Sequence, residues 1–332
     1  MVRVGVIGIG RMGERHARNI DRAIPSASLA AVMDADRGRA EGVAHASGAL
    51  VFDDAEELIA SDGVDAVVIA SPNSTHADLA LICLEHGKPA LVEKPLASEL
   101  ADAEAVVERE IEGQQRLLQV GFMRHYDPDH TTVHAAVRDG SIGRALLFRG
   151  WHRNPPEPTP PRSRDLLVNS AIHDLESARW LLDQEIREVS VLGTVIHPDR
   201  SDQLHLQVIT LVMSGGSLGV IEVNKDCAVG YEVGVEITGS EGIVSTPPNH
   251  APLLRDAEEM GRRVAPDWED RFAEAYVAEV RAWVRSVAEG IPEGPNAWDG
   301  YRALAAAVAG ATSLERGIPV TVDTPSRPGF YE

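Results

Sequence analysis

The sequence predicts an α/β protein in two parts. Residues 1–120 read as a doubly wound parallel sheet, and residues 121–332 as an α/β domain with a large, mostly antiparallel open sheet. Three observations carry this. In the first third, apolar runs alternate with helix-like segments, the pattern of βαβ units. Those runs are apolar on both faces, as buried parallel strands are. After Gln119 the runs alternate more and are joined by tight turns, as in an antiparallel sheet with one covered face. A chain of 332 residues accommodates two domains with a sizeable core.

Taken in order, "VRVGVIGIG" is an apolar run ending in glycines, and "RMGERHARNI" is a helix candidate. "ASLAAVMD" is a second strand ending in an acidic residue, and "SDGVDAVVIASPN" a third between a glycine turn and a proline turn. "STHADLALICLEHG" reads as a helix with Ser74 or Thr75 as N-cap and Gly87 as the stop. "PALVEKP" is a short strand ending at Pro95, and "LLQVGFMRHYDP" is the join between the two parts. Beyond it, "ALLFRGWHR", "IREVSVLGTVI", "LHLQVITLVM", "GSLGVIEVNK" and "YEVGVEITGS" are strands. "NPPEPTPPRSR" is too rich in proline for helix or central strand and reads as a loop over a cleft. In "DLLVNSAIHDLESARWLL", Ile172, Leu175, Ala178 and Leu182 fall at the spacing of an amphipathic helix. Two C-terminal helices, with room to pack back on the first domain, and a last strand "IPVTVD" complete the chain; "AYVAEVRAWV" within them reads as core packing.

Composition narrows the function. The net charge of −20 repels phosphate backbones and anionic lipid, which argues against nucleic-acid or membrane partners. No apolar run approaches a membrane span, and the chain enters its first strand directly after Met1 with no basic leader. Cys83 and Cys227 lie far apart and read as free thiols of a reducing cytoplasm.

"GIGRMG" places Gly8, Gly10 and Gly13 in the G-x-G-x-x-G spacing between a strand and a helix. The first glycine permits a tight turn. The second lets backbone approach a pyrophosphate, and the third lets helix and strand pack closely. Ile9, Arg11 and Met12 of the same loop become cofactor contacts. Asp34 ends the next strand, where a carboxylate bonds the ribose of NAD and repels a 2′-phosphate. Arg37 and Arg39 follow closely and leave room for some NADP use. Together these features predict a Rossmann domain that binds NAD.

Lys94 stands at the carboxyl end of a strand of that sheet, the edge where such sheets bind ligands. Pro95 biases it toward an extended conformation that aims the side chain off the strand. There it could stabilise a developing alkoxide; by spacing alone it is equally a solvated lysine in an X-Pro turn. His173, near a helix start, is a proton acceptor or a polar core residue. His173 and Asp174 are adjacent on a helix and do not converge on one metal ion, and no metal is expected. His45, His86, His205 and His250 have no ligand-like spacing and read as surface or turn residues.

These residues add up to a family. The chain resembles the Gfo/Idh/MocA oxidoreductases over its whole length, and within them the inositol 2-dehydrogenases. The resemblance rests on "GIGRMGERHARN", "ASPNSTHADLALICLEHGKPALVEKPLA", "VGFMRHYDP", "HRNP", "IHDLESARWLL", "GYEVGVEITGSEG" and the C-terminal "RFAEAYVAEVRAWV…GIPVTVD". It implies reversible hydride transfer between a cyclitol or sugar carbon and NAD, in a homo-oligomer (dimer or tetramer) built through the C-terminal sheet. Lys94 and His173 fall on the family's catalytic lysine and histidine. His152, Asn154 and Tyr231 fall on hydroxyl contacts. Met123 and Arg124 match a hinge near nicotinamide and substrate, and Ser71, Asn73, His76 and Glu93 match positions around the cofactor.

Two positions depart from the inositol branch. Asn169 stands where those enzymes carry an aspartate, four residues before the histidine, and Val229 where they carry a second aromatic. Asparagine can still bond a substrate hydroxyl, so Asn169 joins the catalytic set, but it cannot stabilise an imidazolium by charge. A different inositol isomer, an inosamine, a free sugar or a glycoside thus becomes an alternative substrate. A nucleotide-binding regulator without turnover is the alternative outside enzymes; intact Lys94 and His173 argue against it.

Overall fold

Six parallel strands make the first sheet: β1 Val2–Ile7, β2 Ala27–Met33, β3 Leu50–Phe52, β4 Ala66–Ile69, β5 Ala90–Glu93 and β6 Leu118–Gly121. Their order is β3-β2-β1-β4-β5-β6. The computed structural model describes residues 1–156, 162–196, 203–228, 230–247, 253–255, 260–262 and 264–332. Connections reverse direction between β1 and β4, so a crevice opens at the carboxyl ends of these two strands. Val4, Val6, Val67, Val68, Leu91 and Val92 are fully buried, in keeping with strands covered on both faces. The stretch read as a join supplies the edge strand β6, with Leu118 beside Ala90.

Local chemistry explains the helix ends. Asp36 caps the helix Arg37–Ser47 by accepting from Gly38 N, and Asp54 caps Ala55–Ala60 through Glu57 N. The helix His76–Glu85 starts differently from expectation. A 3₁₀ turn, Asn73–Thr75, precedes it, and Thr75 makes no side-chain cap. Its Oγ1 donates back to Pro72 O at 2.9 Å instead. Gly87, with φ of +62°, follows the helix as anticipated.

The chain divides into two compact units, Met1–His125 with Glu274–Leu304 and Pro325–Glu332, and Tyr126–Ala273 with Ala305–Thr324. In the first, Val280, Trp283 and Val284 of the helix Ala273–Glu289 join the core built by β1, β2, β4 and the helix Arg11–Ala23. Tyr331 donates to Glu110 at 2.6 Å, and Glu110 also accepts from Leu117 N and Leu118 N at the start of β6.

The second unit holds β7 Ala145–Arg153, β8 Ile186–Thr194, β9 Leu206–Met213, β10 Leu218–Asn224, β11 Glu232–Gly239, β12 Ile243–Ser245 and β15 Val320–Thr321, with a separate hairpin of β13 Leu253–Arg255 and β14 Met260–Arg262. The order of the seven is β12-β11-β7-β10-β9-β8-β15. Among the described residues only β7 and β10 pair in parallel; the chain leaves the sheet after β7 through a helix and returns at β8. Phe148, Ile209, Leu211, Ile221, Val223 and Val235 are buried on one face, while Leu192, Val208, Val212, Leu218 and Val220 are exposed.

The helix Ile172–Leu182 departs from the amphipathic expectation. Its apolar positions are buried, but so are Asp174, Glu176, Ser177 and Arg179. It touches both β7 and the helix Pro128–Arg138, so no face is left for water. Its polar groups are met internally: Arg179 holds Glu185 through two bonds of 2.8 Å, and Ser177 Oγ donates to His173 O at 2.7 Å. His205, read as a surface or turn residue, lies just before β9 but is 1% exposed and so is not at the surface, whereas His45 and His86 are exposed as expected. His250, Val229 and the centre of the proline-dense stretch lie outside the described residues. No helix among the described residues is long and apolar enough to cross a membrane.

Candidate active site

The glycine loop is shaped for a dinucleotide, and its three glycines act differently. At Gly8, φ is +87° and a Cβ would lie 2.5 Å from Ser71 backbone atoms, so glycine is required by conformation and by the neighbouring strand end. At Gly13 a Cβ would lie 1.7 Å from Gly8 O, so helix and turn meet through a bare Cα. Gly10 has an ordinary φ of −75° and open space where a Cβ would stand. It precedes the helix Arg11–Ala23, whose first N–H groups have no side-chain cap. Bare backbone, open space and a helix N-terminus suit a pyrophosphate.

Asp34 accepts from Ile9 N at 2.5 Å and Asp36 N at 2.7 Å, so it sets the loop as well as offering carboxylate edges to a ribose. The neighbouring arginines are already paired: Arg37 with Glu41 at 2.8 Å and with Asp53, and Arg39 with Asp36 at 3.4 Å. A 2′-phosphate would therefore meet Asp34 without a spare guanidinium from this pair, which favours NAD. Arg11 is exposed and Met12 half-buried on the same loop.

Lys94 leaves the end of β5 half-buried, and its peptide bond to Pro95 is cis. Beneath it the Glu93 side chain turns inward. It lies 2.7 Å from His16 Nε2 and accepts from Lys94 N at 3.2 Å. Gly121 makes room, since a Cβ there would crowd the carboxyl at 3.1 Å. Burial alone would raise the Glu93 pKa, but the His16 hydrogen bond and the charges of His16, Lys94 and His76 hold it below the ordinary value. Glu279 is fully buried; burial and the Glu93 charge push its carboxyl well above the ordinary range. Neither Glu279 oxygen has a hydrogen-bond partner among the described residues. His76 lies 2.7 Å from Pro95 O through Nδ1 and 2.9 Å from Ser71 O through Nε2. Ser71 and Asn73 are half-buried just after β4, and Ser71 Oγ lies 2.7 Å from Thr75 Oγ1. Met123 and Arg124 are buried on the 3₁₀ turn Met123–Tyr126.

The second unit gathers the remaining residues. Alternation along β7 turns His152 inward, where its Nδ1 lies 2.8 Å from Asp174 Oδ2, both side chains almost wholly buried. A carboxylate only accepts, so Nδ1 carries the proton and the ring is fixed in orientation. Tyr231 stands edge-on to His152 at 5.9 Å, and Phe272 edge-on to Tyr231 at 6.3 Å. Asn154 is held at its backbone by Asn224 O and Cys227 N, while its Oδ1 is buried without a partner among the described residues. That orphaned acceptor suits a substrate hydroxyl. His173 is 8% exposed in the first turn of its helix, and Asn169 is exposed on the preceding π-helical turn Leu166–Ala171. The π turn ends at Ala171, just before the helix that carries His173, so Asn169 and His173 lie on differently wound segments.

Three supporting groups escape a sequence reading. Asp174 orients His152 from the next helix. His16 meets Glu93 across the first sheet. Asp127 binds Arg271 at 2.8 and 3.1 Å and lies 2.5 Å from His130. Burial would raise Asp127, but the hydrogen bonds from His130 and Arg271 hold it far below the usual carboxylate range. Arg271 in turn covers the Phe272 ring at 4.5 Å, which steadies the aromatic pair with Tyr231. Only acidic residues flanking a histidine or a helix start hinted at these pairs.

Fold and site define a class: an oxidoreductase with an NAD-binding Rossmann domain. Residues 2–122 match the model of the oxidoreductase family with the NAD-binding Rossmann fold, and residues 130–245 match the GFO/IDH/MocA C-terminal domain. The chain belongs to the Gfo/Idh/MocA oxidoreductase family. It is 47% identical to inositol 2-dehydrogenase of Rubrobacter xylanophilus, over 99% of this chain and 96% of that one. Among solved structures it resembles myo-inositol dehydrogenase from Lactobacillus casei in complex with NAD(H) and myo-inositol, with a TM-score of 0.96, 31% identity and full coverage of both chains. Scyllo-inositol dehydrogenase from the same organism, with bound NAD(H) and scyllo-inositol, superposes with a TM-score of 0.89 at 25% identity, over 97% of this chain and 99% of that one.

Proposed function

We propose that the protein is an NAD-dependent dehydrogenase that oxidises a secondary hydroxyl of an inositol-type cyclitol to the ketone, reversibly. The carrying observation is that a dinucleotide loop and Lys94 on one sheet accompany a carboxylate-oriented histidine, an orphaned amide oxygen and His173 in the second unit. The Gly8, Gly10 and Gly13 loop and Asp34 would hold NAD, which when bound supplies the hydride acceptor. Lys94 binds the reacting oxygen and lowers the cost of alkoxide character. His173 takes the hydroxyl proton. Asn169 positions a neighbouring hydroxyl, and His152, Asn154 and Tyr231 line the rest of the ring. Residues 1–120 thus serve the cofactor, and residues 121–332 the substrate and assembly.

Relatives acting on different inositol isomers share this fold, and Asn169, four residues before His173, stands where the inositol branch that the sequence resembles carries an aspartate; this favours an isomer other than myo-inositol, or an inosamine, as the preferred substrate. The exposed Leu192, Val208, Val212, Leu218 and Val220 on one sheet face support a homotetramer joined through that sheet. Free Cys83, its thiol pushed up to about 12 by burial, and free Cys227 support a cytoplasmic setting.

The test is turnover of NAD with a panel of inositols and inosamines. Lys94→Ala and His173→Ala should each lower kcat by about 100-fold or more while leaving NAD affinity within a few-fold. Full activity in both variants would refute the assignment.

A further inference from the structure

His76 carries an unusual pair of contacts. It is 1% exposed, at the first position of its helix. Its Nδ1 lies 2.7 Å from Pro95 O and its Nε2 2.9 Å from Ser71 O. Both partners are carbonyl oxygens, and a carbonyl only accepts. A neutral imidazole has one N–H and one lone pair, so one contact would set lone pair against lone pair at hydrogen-bond distance. Both contacts are satisfied only when both ring nitrogens carry protons.

We propose that His76 is held as a two-armed donor, an imidazolium that ties the end of β4 at Ser71 to Pro95 and so positions Lys94. The proposal rests on the functional reading of Lys94 given above. Ser71 follows β4 and Pro95 directly follows Lys94, so the strap joins the two strand ends that bracket this part of the nucleotide edge. The carboxylate of Glu93 supplies the countercharge. It is itself buried, bonded to His16 and to Lys94 N, and lies close enough to His76 to feel its charge. Glu279, whose carboxyl feels the Glu93 charge, is pushed toward its neutral form, so Glu93 carries the negative charge that Lys94 and His76 share. His76 is thus a positioning residue acting through Lys94, and cofactor contact is secondary to that role.

The experiment uses the full chain, labelled with ¹⁵N histidine, at the pH of the activity assay. A long-range ¹H–¹⁵N correlation should show one imidazole, lost in His76→Gln, with both ring nitrogens of the protonated type. A lone-pair nitrogen signal on that ring would overturn the proposal, and this measurement on the unaltered protein does not depend on any variant folding. Kinetics supply the second arm. His76→Leu, with no donor, should lower kcat at least tenfold with KM for NAD changed less than threefold; His76→Gln, with one amide donor group, should fall between. A change confined to melting temperature, with kcat unaltered, would overturn the positioning role. Lys94→Ala run in parallel separates the two readings: if it keeps full activity, the function assigned to Lys94 fails, while the ring-nitrogen signals still decide the state of His76.

Discussion

Gly10→Ala separates binding from folding at the glycine loop. Gly10 has φ of −75°, which alanine adopts freely, and no atom beyond its own chain neighbours lies within 4 Å of the added Cβ. Alanine reduces the freedom of the unfolded chain, a gain of about 0.4–1 kcal/mol, and as an N-cap loses a comparable amount. Net stability should therefore stay within about 0.5 kcal/mol of the parent. The methyl group, however, stands where a pyrophosphate must approach backbone N–H groups. Losing one charge-assisted hydrogen bond of about 1.5–3 kcal/mol weakens binding by about 10–150-fold. Gly13→Ala should behave oppositely. Its Cβ would lie 1.7 Å from Gly8 O, where contacts below 3.0 Å are essentially never found, so the loop must retreat by more than an ångström. That overpacking costs about 1–3 kcal/mol or more of stability. Urea denaturation and NAD titration by fluorescence quenching read the two effects. If Gly10→Ala bound NAD like the parent, or Gly13→Ala matched its stability, the division of labour among the glycines would be wrong.

Three other outcomes are expected. Asn169→Asp returns a carboxylate near His173 and should raise kcat/KM for myo-inositol by about tenfold or more; no gain in a steady-state assay would show that Asn169 does not exclude that substrate. Glu279→Gln should change stability with pH. The folded Glu279 carboxyl lies well above its ordinary 4.5, so the folded state keeps a proton that the unfolded chain releases. Its stabilising contribution is therefore complete below 4.5 and lost as pH rises, by at most about 1.4 kcal/mol per unit within the window. The glutamine variant should gain on the parent in urea titrations from pH 5 to 8 and differ least near pH 4; parallel curves would contradict the raised carboxyl. Asp174→Ala removes the acceptor from His152 and leaves a buried N–H unpaired, at about 1.5–3 kcal/mol of stability. The polyol KM should rise while the NAD KM stays unchanged; equal rises in both would argue against a substrate role for His152.

Much of the first unit was legible because its signals are local. The glycine spacing, the acidic end of the second strand and the double-faced apolar runs each lie within a few residues, and βαβ chirality leaves little choice of topology. Strand β6 was missed as a strand because four residues at a sheet edge carry too little pattern to separate from a join. The helix after Asn169 was read as amphipathic because periodicity reports where apolar residues fall. It does not report that a second layer covers the polar side. His205 was misplaced for the same reason, since one histidine carries no periodicity.

What the sequence by itself determined, then, was the alternation of strands and helices in the first part, the longer strands of the second, the dinucleotide loop and the candidate residues Lys94 and His173. Only the tertiary structure decided how those residues are supported. His16 reaches Glu93 across 77 residues, His152 reaches Asp174 across 22, and Arg271 reaches Asp127 across 144. Burial strength follows from the same packing: it leaves Glu93 charged and Glu279 driven toward its neutral form, though both are glutamates with the same intrinsic acidity. Hydrogen bonds and desolvation act over a few ångströms, while sequence pattern acts over a few residues. The two coincide inside a helix or strand and part wherever the chain returns to itself, which is where the supports of this site are built.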